Sequence, residues 1–552
     1  MPDARPPLAA IPSLDRRTLM KSGLVTAGVF AMPGAVALAR GGLGFTHGVA
    51  SGEPSATSVL LWTRYAAEQD TSLEWQVATG ADFTRVIAEG RTTAAPSRDF
   101  CVKADATGLE PGTWYYYRFL APDGSVSDIG RTKTLPEGRA ERFRLAVFSC
   151  SNIGFGWFNA YAAAVEANDA DCVYHAGDYF YEYPVGTYPS VEQLHPARAA
   201  YDPVHETISL ADYRLRFAMY RRDPDLRRLH QLYPMIAGWD DHESTNDSWQ
   251  GGAQNHDASE GDWGVRKRAA MQAYREWMPV SDADYATYAI GDLATLYRLE
   301  TRLSGRDEPP SLSAVLRGKA SAEEAQAALV AFRDGAYADP TREVLGTTQQ
   351  AWLADGLTAS VRGGTRWQVL LQQVLMGSLS TPASLADALT DETPDFVRER
   401  VRSGALAGQA GLPLNMDAWD GYPAARARVF AAAQEAQANL VVLAGDTHNS
   451  WAFDLSRDGA PVGVEFGGPS VSSPGFENFL PQIDPQTLGR AVVENNPQLR
   501  WADTARRGYM ALELTRDEAA CEYRFSAPVA TRSDAVTDTH VERVAHGSNR
   551  LA

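Results

Sequence analysis

Phe143-Arg144-Leu145-Ala146-Val147-Phe148-Ser149-Cys150-Ser151-Asn152 decides the fold. Its apolar run is short and breaks abruptly into a polar cluster. That is the pattern of a strand buried on both faces, with exposed chemistry where it ends. The arrangement recurs. Cys172-Val173-Tyr174 runs through His175-Ala176 into Gly177-Asp178-Tyr179-Phe180-Tyr181-Glu182. Pro234-Met235-Ile236-Ala237 runs into Gly238-Trp239-Asp240-Asp241-His242-Glu243. Leu440-Val441-Val442-Leu443 runs into Ala444-Gly445-Asp446-Thr447-His448-Asn449. Trp367 to Leu371 adds another apolar strand, and a helix is expected over Trp157 to Ala167. Strands alternating with helical stretches predict βαβ units and a central sheet covered by helices, an α/β fold.

In open α/β sheets, ligands gather beyond the carboxyl ends of the strands. Four such ends here present Cys150, Asp178, Tyr181, Asp240, Asp241, His242, Asp446, His448 and Asn449. These are sulfur, oxygen and nitrogen donors, the set that metal coordination uses. Each residue taken alone has a structural explanation as well. Cys150 suits a small buried hydrophobe, Asp178 a turn after glycine, and Tyr181 a packed phenol. Asp240, Asp241 and His242 suit a solvated acidic turn, and Asp446 to His448 an Asx-turn. Their gathering at one edge of one sheet favours a metal site. Asp178 and Tyr181, three residues apart, can set a carboxylate and a phenolate around one cation. Thiolate and phenolate donors favour trivalent iron, and a carboxylate can bridge it to a second, harder ion.

Upstream, residues 43–135 read as β. Ser58 to Thr63 is apolar, Leu73 to Val77 alternates with period two, and Trp114 to Phe119 is strongly β-prone. Short strands at this spacing predict an antiparallel sandwich of the immunoglobulin or fibronectin type. Nothing in it is catalytic by residue type and spacing. Downstream, Ser304 to Ser360 is Ala- and Glu-rich and helical in character, and Gly467 to Pro474 is a loop. Three late runs, Gly463 to Phe466, Tyr509 to Leu514 and Ala520 to Phe525, are expected to form a second, antiparallel-leaning sheet.

The chain has 552 residues, 44% of them hydrophobic and 22% charged, which excludes a disordered, collagen-like or polytopic membrane chain. Asp plus Glu is 69 against 51 Lys plus Arg, a net charge of -18. Such a surface repels polyanions, so no stable nucleic-acid complex is expected. Bound cations can still make one place welcome to phosphate. Four cysteines do not make a disulfide scaffold, although Cys101 and Cys521 could pair in an exported protein.

Arg16-Arg17 precedes an apolar run from Gly23 to Leu38 that is too short to span a bilayer comfortably and ends in Ala37-Leu38-Ala39. Residues 1–39 read as a cleaved signal of the twin-arginine type. The expected compartment is periplasmic or extracellular, with the twin-arginine export machinery as partner. No other segment reads as transmembrane.

Asp178-x-x-Tyr181, Asp241-His242-Glu243 and Asp446-x-His448 resemble the metallophosphoesterase pattern of purple acid phosphatases. In that pattern the middle motif is usually Asn-His-Glu, the last is Gly-His-x-His, and the first strand supplies Asp where Cys150 stands. These departures match one branch. With Phe45 to Pro54, Ser58 to Arg64, Trp239 to Glu243, Trp419 to Pro423 and Gly445 to Trp451, the sequence resembles the bacterial PhoD-like phosphatases of the alkaline phosphatase D family.

The resemblance implies a calcineurin-like α/β/β/α sandwich over residues 142–530, behind the N-terminal β-sandwich. It implies Fe3+ surrounded by Cys150, Asp178, Tyr181 and His448. Asp178 would bridge to Ca2+, which Asp241 and Asp446 also hold. Matching the last motif position by position gives His448 to iron and Asp446 to calcium. Asp240 is a weaker candidate than Asp241, and Asn246 and Asn449 are calcium ligands or lie one layer out.

The expected reaction is hydrolysis of phosphate mono- or diesters. A metal-bound hydroxide attacks phosphorus in line, and His242 donates or orients a proton. His242 also suits a structural histidine bonded to a neighbouring carboxylate. Arg366 opens a strand, which favours a structural role over a phosphate clamp. Two rivals stand beside this reading. One is a secreted phosphodiesterase of phospholipase D type, acting on a phospholipid. The other is a surface-binding or adhesion protein that uses the sandwich as its binding module and does not need Cys150, Asp178 or His448.

Overall fold

From Ser58 onward each apolar strand run named above forms a strand, and the way those strands are shared between sheets sets the architecture. The computed structural model describes residues 42–387, 389–390, 393 and 395–552, so the expected signal segment lies outside the described residues. Arg142–Phe148 is flanked in parallel by Cys172–His175, which in turn flanks Pro234–Ala237. On its other side Gly508–Thr515, Glu518–Ser526 and Val536–Ala545 continue the sheet antiparallel. A second, seven-stranded sheet runs Ala286–Ile290, Ala294–Arg298, Trp367–Leu371, Leu440–Ala444, Ala460–Gly467, Ser450–Arg457, Leu499–Asp503. Its four central strands are parallel.

The two sheets face each other. Leu145, Val147, Tyr174 and Ile236 from the first meet Leu296, Val369, Leu443 and Val464 from the second in one buried core. Helices cover both outer faces. Asn159–Ala167, Leu210–Tyr220, Pro224–Leu232 and Trp263–Trp277 pack on the first sheet through Phe148, Val173, Met235 and Ala237. Gly346–Arg362 and Pro423–Ala436 pack on the second through Leu370 and Val442. The fold is thus the expected α/β/β/α sandwich, with two facing sheets rather than one central sheet. Apolar alternation distinguishes buried strand faces but does not say which sheet a strand joins.

That limit accounts for one correction. The three late runs do not form a sheet of their own. Ala460–Gly467 lies in the second sheet, parallel to Leu440–Ala444, while Gly508–Thr515 and Glu518–Ser526 extend the first. The Ser304 to Ser360 region is helical as expected, with helices at Leu312–Leu316, Ala322–Asp334 and Gly346–Arg362.

The N-terminal sandwich is present and is joined to the first sheet. Gly44–Gly52 pairs in parallel with Pro234–Ala237, placing Ser51 opposite Pro234 and Gly52 opposite Met235. With Ser58–Ala66 and Cys101–Thr107 it completes a nine-stranded sheet. A four-stranded sheet (Val86–Ala94, Thr71–Ala78, Trp114–Leu120, Gly130–Lys133) closes over those three strands. Leu61, Tyr65, Leu73, Val77, Tyr117 and Phe119 fill the space between. The seam admits no side chain at Gly52, where a Cβ would stand 2.1 Å from the Pro279 carbonyl oxygen.

Cys101 and Cys521 are both buried and free. They lie on strands with six others between them in the nine-stranded sheet. At about 4.8 Å per strand they are roughly 34 Å apart, which rules out the disulfide. Among the described residues, no helix is long and apolar enough to cross a membrane.

Candidate metal centre

The chain turns sharply as it leaves each strand, and those turns aim the functional side chains. Cys150, Asp178, Asp446 and His448 all have left-handed backbone, with φ of 60°, 51°, 65° and 61°. This region costs a non-glycine residue about 1–2 kcal/mol, so four instances around one point indicate a conformation held for a purpose. Gly177 makes one turn feasible. Its φ is 101°, and a Cβ there would come within 2.4 Å of the Asp240 amide nitrogen. The absence of a side chain lets the Asp178 and Asp240 loops touch.

Potential ligand atoms gather in three overlapping groups, each with its atoms within 4.8 Å of one another. Cys150, Asp178 and His448 form the first. Asp178, Asp241 and His242 form the second, and Asp240, Asp241 and Asp446 the third. Tyr181 belongs with the first. Its hydroxyl lies 2.9 Å from Asp178 Oδ2 and 3.0 Å from His448 Nε2. His448 Nδ1 donates to the Pro474 carbonyl at 2.9 Å, which leaves Nε2 with its lone pair toward Tyr181 and Asp178. The Gly/Ser loop presses on this side, where Ser473 Oγ lies 2.8 Å from the Tyr181 hydroxyl. Cys150, Asp178, Tyr181 and Asp241 are buried, while Asp446 and His448 are half-buried and mark the mouth.

Burial and mutual charge set the electrostatics of these side chains. Burial pushes the Cys150 thiol and the Tyr181 phenol well above their usual ranges, and the Asp178 charge adds to both. Burial also raises Asp178 and Asp446, with Asp240 reinforcing the second. Burial lowers His448 to about 3, so it presents a neutral imidazole. Burial would raise Asp241 too, but His242 and Arg302 beside it hold it below the ordinary carboxylate range. His242 is driven up against its burial by Asp241, Glu182 and Asp178.

Several residues of the site escape a reading by motif. Glu243 holds it from behind, accepting backbone N–H groups from Asp178, Tyr179 and Asp240 at 3.1, 2.6 and 2.8 Å. Glu182 holds His242 and the Asn246 amide. Arg302, fully buried, donates to Asp240, Asp417 and Asp446. Both glutamates lie within the strand-end motifs, whereas Arg302 follows Ala294–Arg298, a strand without a continuous apolar run.

The remaining candidates make the following contacts. Asn449 accepts the Phe476 N–H and donates to the Thr447 carbonyl. Asn246 donates to Gln254. Arg366 donates to the Arg516 carbonyl, at the opposite end of its strand from the one that leads to the site. Trp419 donates to Gln372, and Asp420 accepts the Leu379 N–H, so that motif braces the second sheet.

The sequence model of the PhoD-like phosphatases matches residues 145–523. The chain belongs to this family. The model of the PhoD-like phosphatase N-terminal domain matches residues 32–136. Alkaline phosphatase D of Bacillus subtilis (strain 168) is 31% identical over 528 residues, covering 91% of this chain and 80% of that protein. A solved structure of PhoD superposes with a TM-score of 0.73 at 28% identity, covering 95% of this chain and 93% of that one. As a member of the PhoD-like family the protein is a phosphatase, a hydrolase of phosphate esters. The adhesion reading therefore gives way to the enzymatic one.

Proposed function

We propose that this PhoD-like chain is an exported, metal-dependent phosphatase that hydrolyses phosphate mono- or diesters at the four strand ends. The observation that carries the reading is a pair of bare oxygens. Asp178 Oδ1 and Asp240 Oδ2 are buried and accept no hydrogen bond from any described residue. An ionised carboxylate oxygen left so is costly unless a cation meets it.

The donor set fits two different cations. Cys150, Asp178, Tyr181 and His448 would hold Fe3+, because thiolate and phenolate suit a highly charged, polarising ion. Asp178, Asp241 and Asp446, with Asp240 beside them, would hold Ca2+, which takes oxygen ligands. Such a cluster, when bound, offsets the charge of phosphate oxygens and lowers the pKa of a coordinated water so that a nucleophile exists near neutral pH.

The chain's own residues supply position and a proton. Ser473 and Pro474 hold Tyr181 and His448 in place. Glu182 fixes the ring of His242 through Nδ1, leaving Nε2 to hold or deliver a proton at the leaving oxygen. Asp446 and His448 stand at the mouth, where the ester enters. The twin arginines Arg16 and Arg17 support export by the twin-arginine route to the periplasm or beyond.

The test is metal content measured on purified protein, coupled to assays on p-nitrophenyl phosphate, bis-p-nitrophenyl phosphate and a phosphatidylcholine vesicle. Bound iron and calcium with turnover of the first or second substrate supports the reading. Turnover of the vesicle alone would make the enzyme a phospholipase. Absence of iron, with full activity in Asp178→Ala, would overturn the metal centre.

A further inference from the structure

Three carboxylates crowd one corner of the site. Asp240, Asp241 and Asp446 bring oxygens within 4.8 Å of one another, and Asp417 stands behind them. Like charges this close repel, and burial strengthens the repulsion. One side chain answers all of them. Arg302 Nε donates to Asp240, Nη1 to Asp417, and Nη2 to Asp446 Oδ1 at 3.2 Å, with Asp241 Oδ1 at 3.7 Å. All three guanidinium nitrogens are directed at carboxylates, and the side chain is 0% exposed. It has no face left for a substrate.

The placement is built rather than incidental. Glu300 accepts the backbone N–H groups of Arg302, Leu303 and Ser304 at 2.8, 2.6 and 2.7 Å. It also accepts the indole N–H of Trp239 at 3.0 Å, and Trp239 immediately precedes Asp240. One carboxylate therefore ties the Arg302 loop to the Asp240 loop. Arg306 donates to Asp417 from the other side. Four carboxylates meet two guanidiniums, so the corner keeps an excess of negative charge beside Arg302.

We propose that Arg302 is the resident counter-cation of Asp240, Asp241 and Asp446, a positioning residue that keeps these carboxylates gathered when the divalent cation leaves. The inference rests on the metal reading above. Its consequence is that the fold tolerates loss of calcium because an internal cation shares the load. The guanidinium reaches three carboxylates from three separate nitrogens in one plane, whereas an ammonium donates from a single atom.

The experiment is thermal unfolding of the full-length protein, its Arg302→Met variant and its Arg302→Lys variant, each in EGTA and across a calcium series. Calcium and iron contents are measured in parallel. The wild type should shift little in Tm between EGTA and calcium. Arg302→Met should fall in EGTA and recover most of the loss in calcium, a shift at least twice the wild-type one. Arg302→Lys should lie between, and it carries the test if the methionine variant does not fold. Iron content should stay at the wild-type level in both. Equal loss in EGTA and calcium, or no loss in either, would overturn the proposal alone. A wild type that binds no calcium would overturn the metal reading, and this inference with it.

Discussion

Glu182 accepts the Nδ1–H of His242 at 2.6 Å, and neither residue has meaningful contact with solvent. The carboxylate is itself pinned, because its other oxygen accepts from the Asn246 amide at 2.8 Å and from Thr245 Oγ1 at 2.9 Å. Burial would raise Glu182, but His242 and the Asn246 N–H hold it below its ordinary value. An ionised, immobile acceptor on Nδ1 fixes both the tautomer and the ring plane. His242→Asn should lower kcat by about 10²–10⁴-fold, the usual worth of a positioned proton donor. Glu182→Gln should cost less, about 10–100-fold, as for outer partners of a metal site. Metal content should be retained in both. Steady-state kinetics with metal analysis checks this, and a full kcat in His242→Asn would reduce the histidine to a structural role.

The assignment of donors to two cations makes a reciprocal prediction. Cys150→Ser replaces the softest ligand of the first group, so iron should fall while calcium stays. Asp446→Asn removes a charge from the acidic corner, so calcium should fall while iron stays. Asp178→Ala, which serves both groups, should lose both. Elemental analysis of the three variants reads the pattern directly. Parallel loss of both metals from Cys150→Ser and Asp446→Asn would show that the two sites are not separable as assigned.

How much of this site was readable beforehand depended on where each residue lies relative to a strand. Cys150, Asp178, Asp241, Asp446 and His448 directly follow buried apolar runs, and a buried strand announces its end by the change to polar residues. Arg302 was not readable. Its strand, Ala294–Arg298, is short and carries Thr295 and Arg298 among its apolar residues, so no run stands out. Arg298 is buried all the same, donating to the Ala237 carbonyl across the interface between the two sheets. The placing of Gly508–Thr515 beside Arg142–Phe148, more than three hundred residues away in the chain, was out of reach for a similar reason. Alternation fixes which face of a strand is buried and leaves its neighbours open.

Chelation should separate activity from integrity. EGTA should abolish turnover of a monoester, and calcium should restore it, while the protein stays folded and keeps its iron. Cys150 is fully buried, between Asp178 and the Ser472–Ser473 loop that caps its carbonyl, which would slow exchange of an ion held there. Activity that survives EGTA would remove calcium from the mechanism.

Acid stability depends on His175. This buried imidazole ends the strand that leads to Asp178. The Gly177 N–H donates to its Nδ1 at 3.3 Å, so the ring proton sits on Nε2 and is donated to the Tyr161 hydroxyl at 2.8 Å. Both nitrogens are satisfied by a neutral ring, and burial lowers the pKa from 6.5 to about 3. The sign follows. Above pH 6.5 folded and unfolded chains are both neutral here and the stabilisation is complete. Below it the unfolded chain takes up a proton that the folded chain refuses, and stability declines down to about pH 3. At about 1.4 kcal/mol per pH unit, the loss from this group is on the order of 3 kcal/mol by pH 4.5. His175→Gln removes the titration. The variant should be less stable than wild type at pH 7.5, and the gap should narrow by roughly that amount at pH 4.5. Urea unfolding of both proteins at the two pH values measures the gap, and taking the difference cancels the other titrating groups. Parallel pH profiles would mean that His175 accepts its proton without cost to the fold.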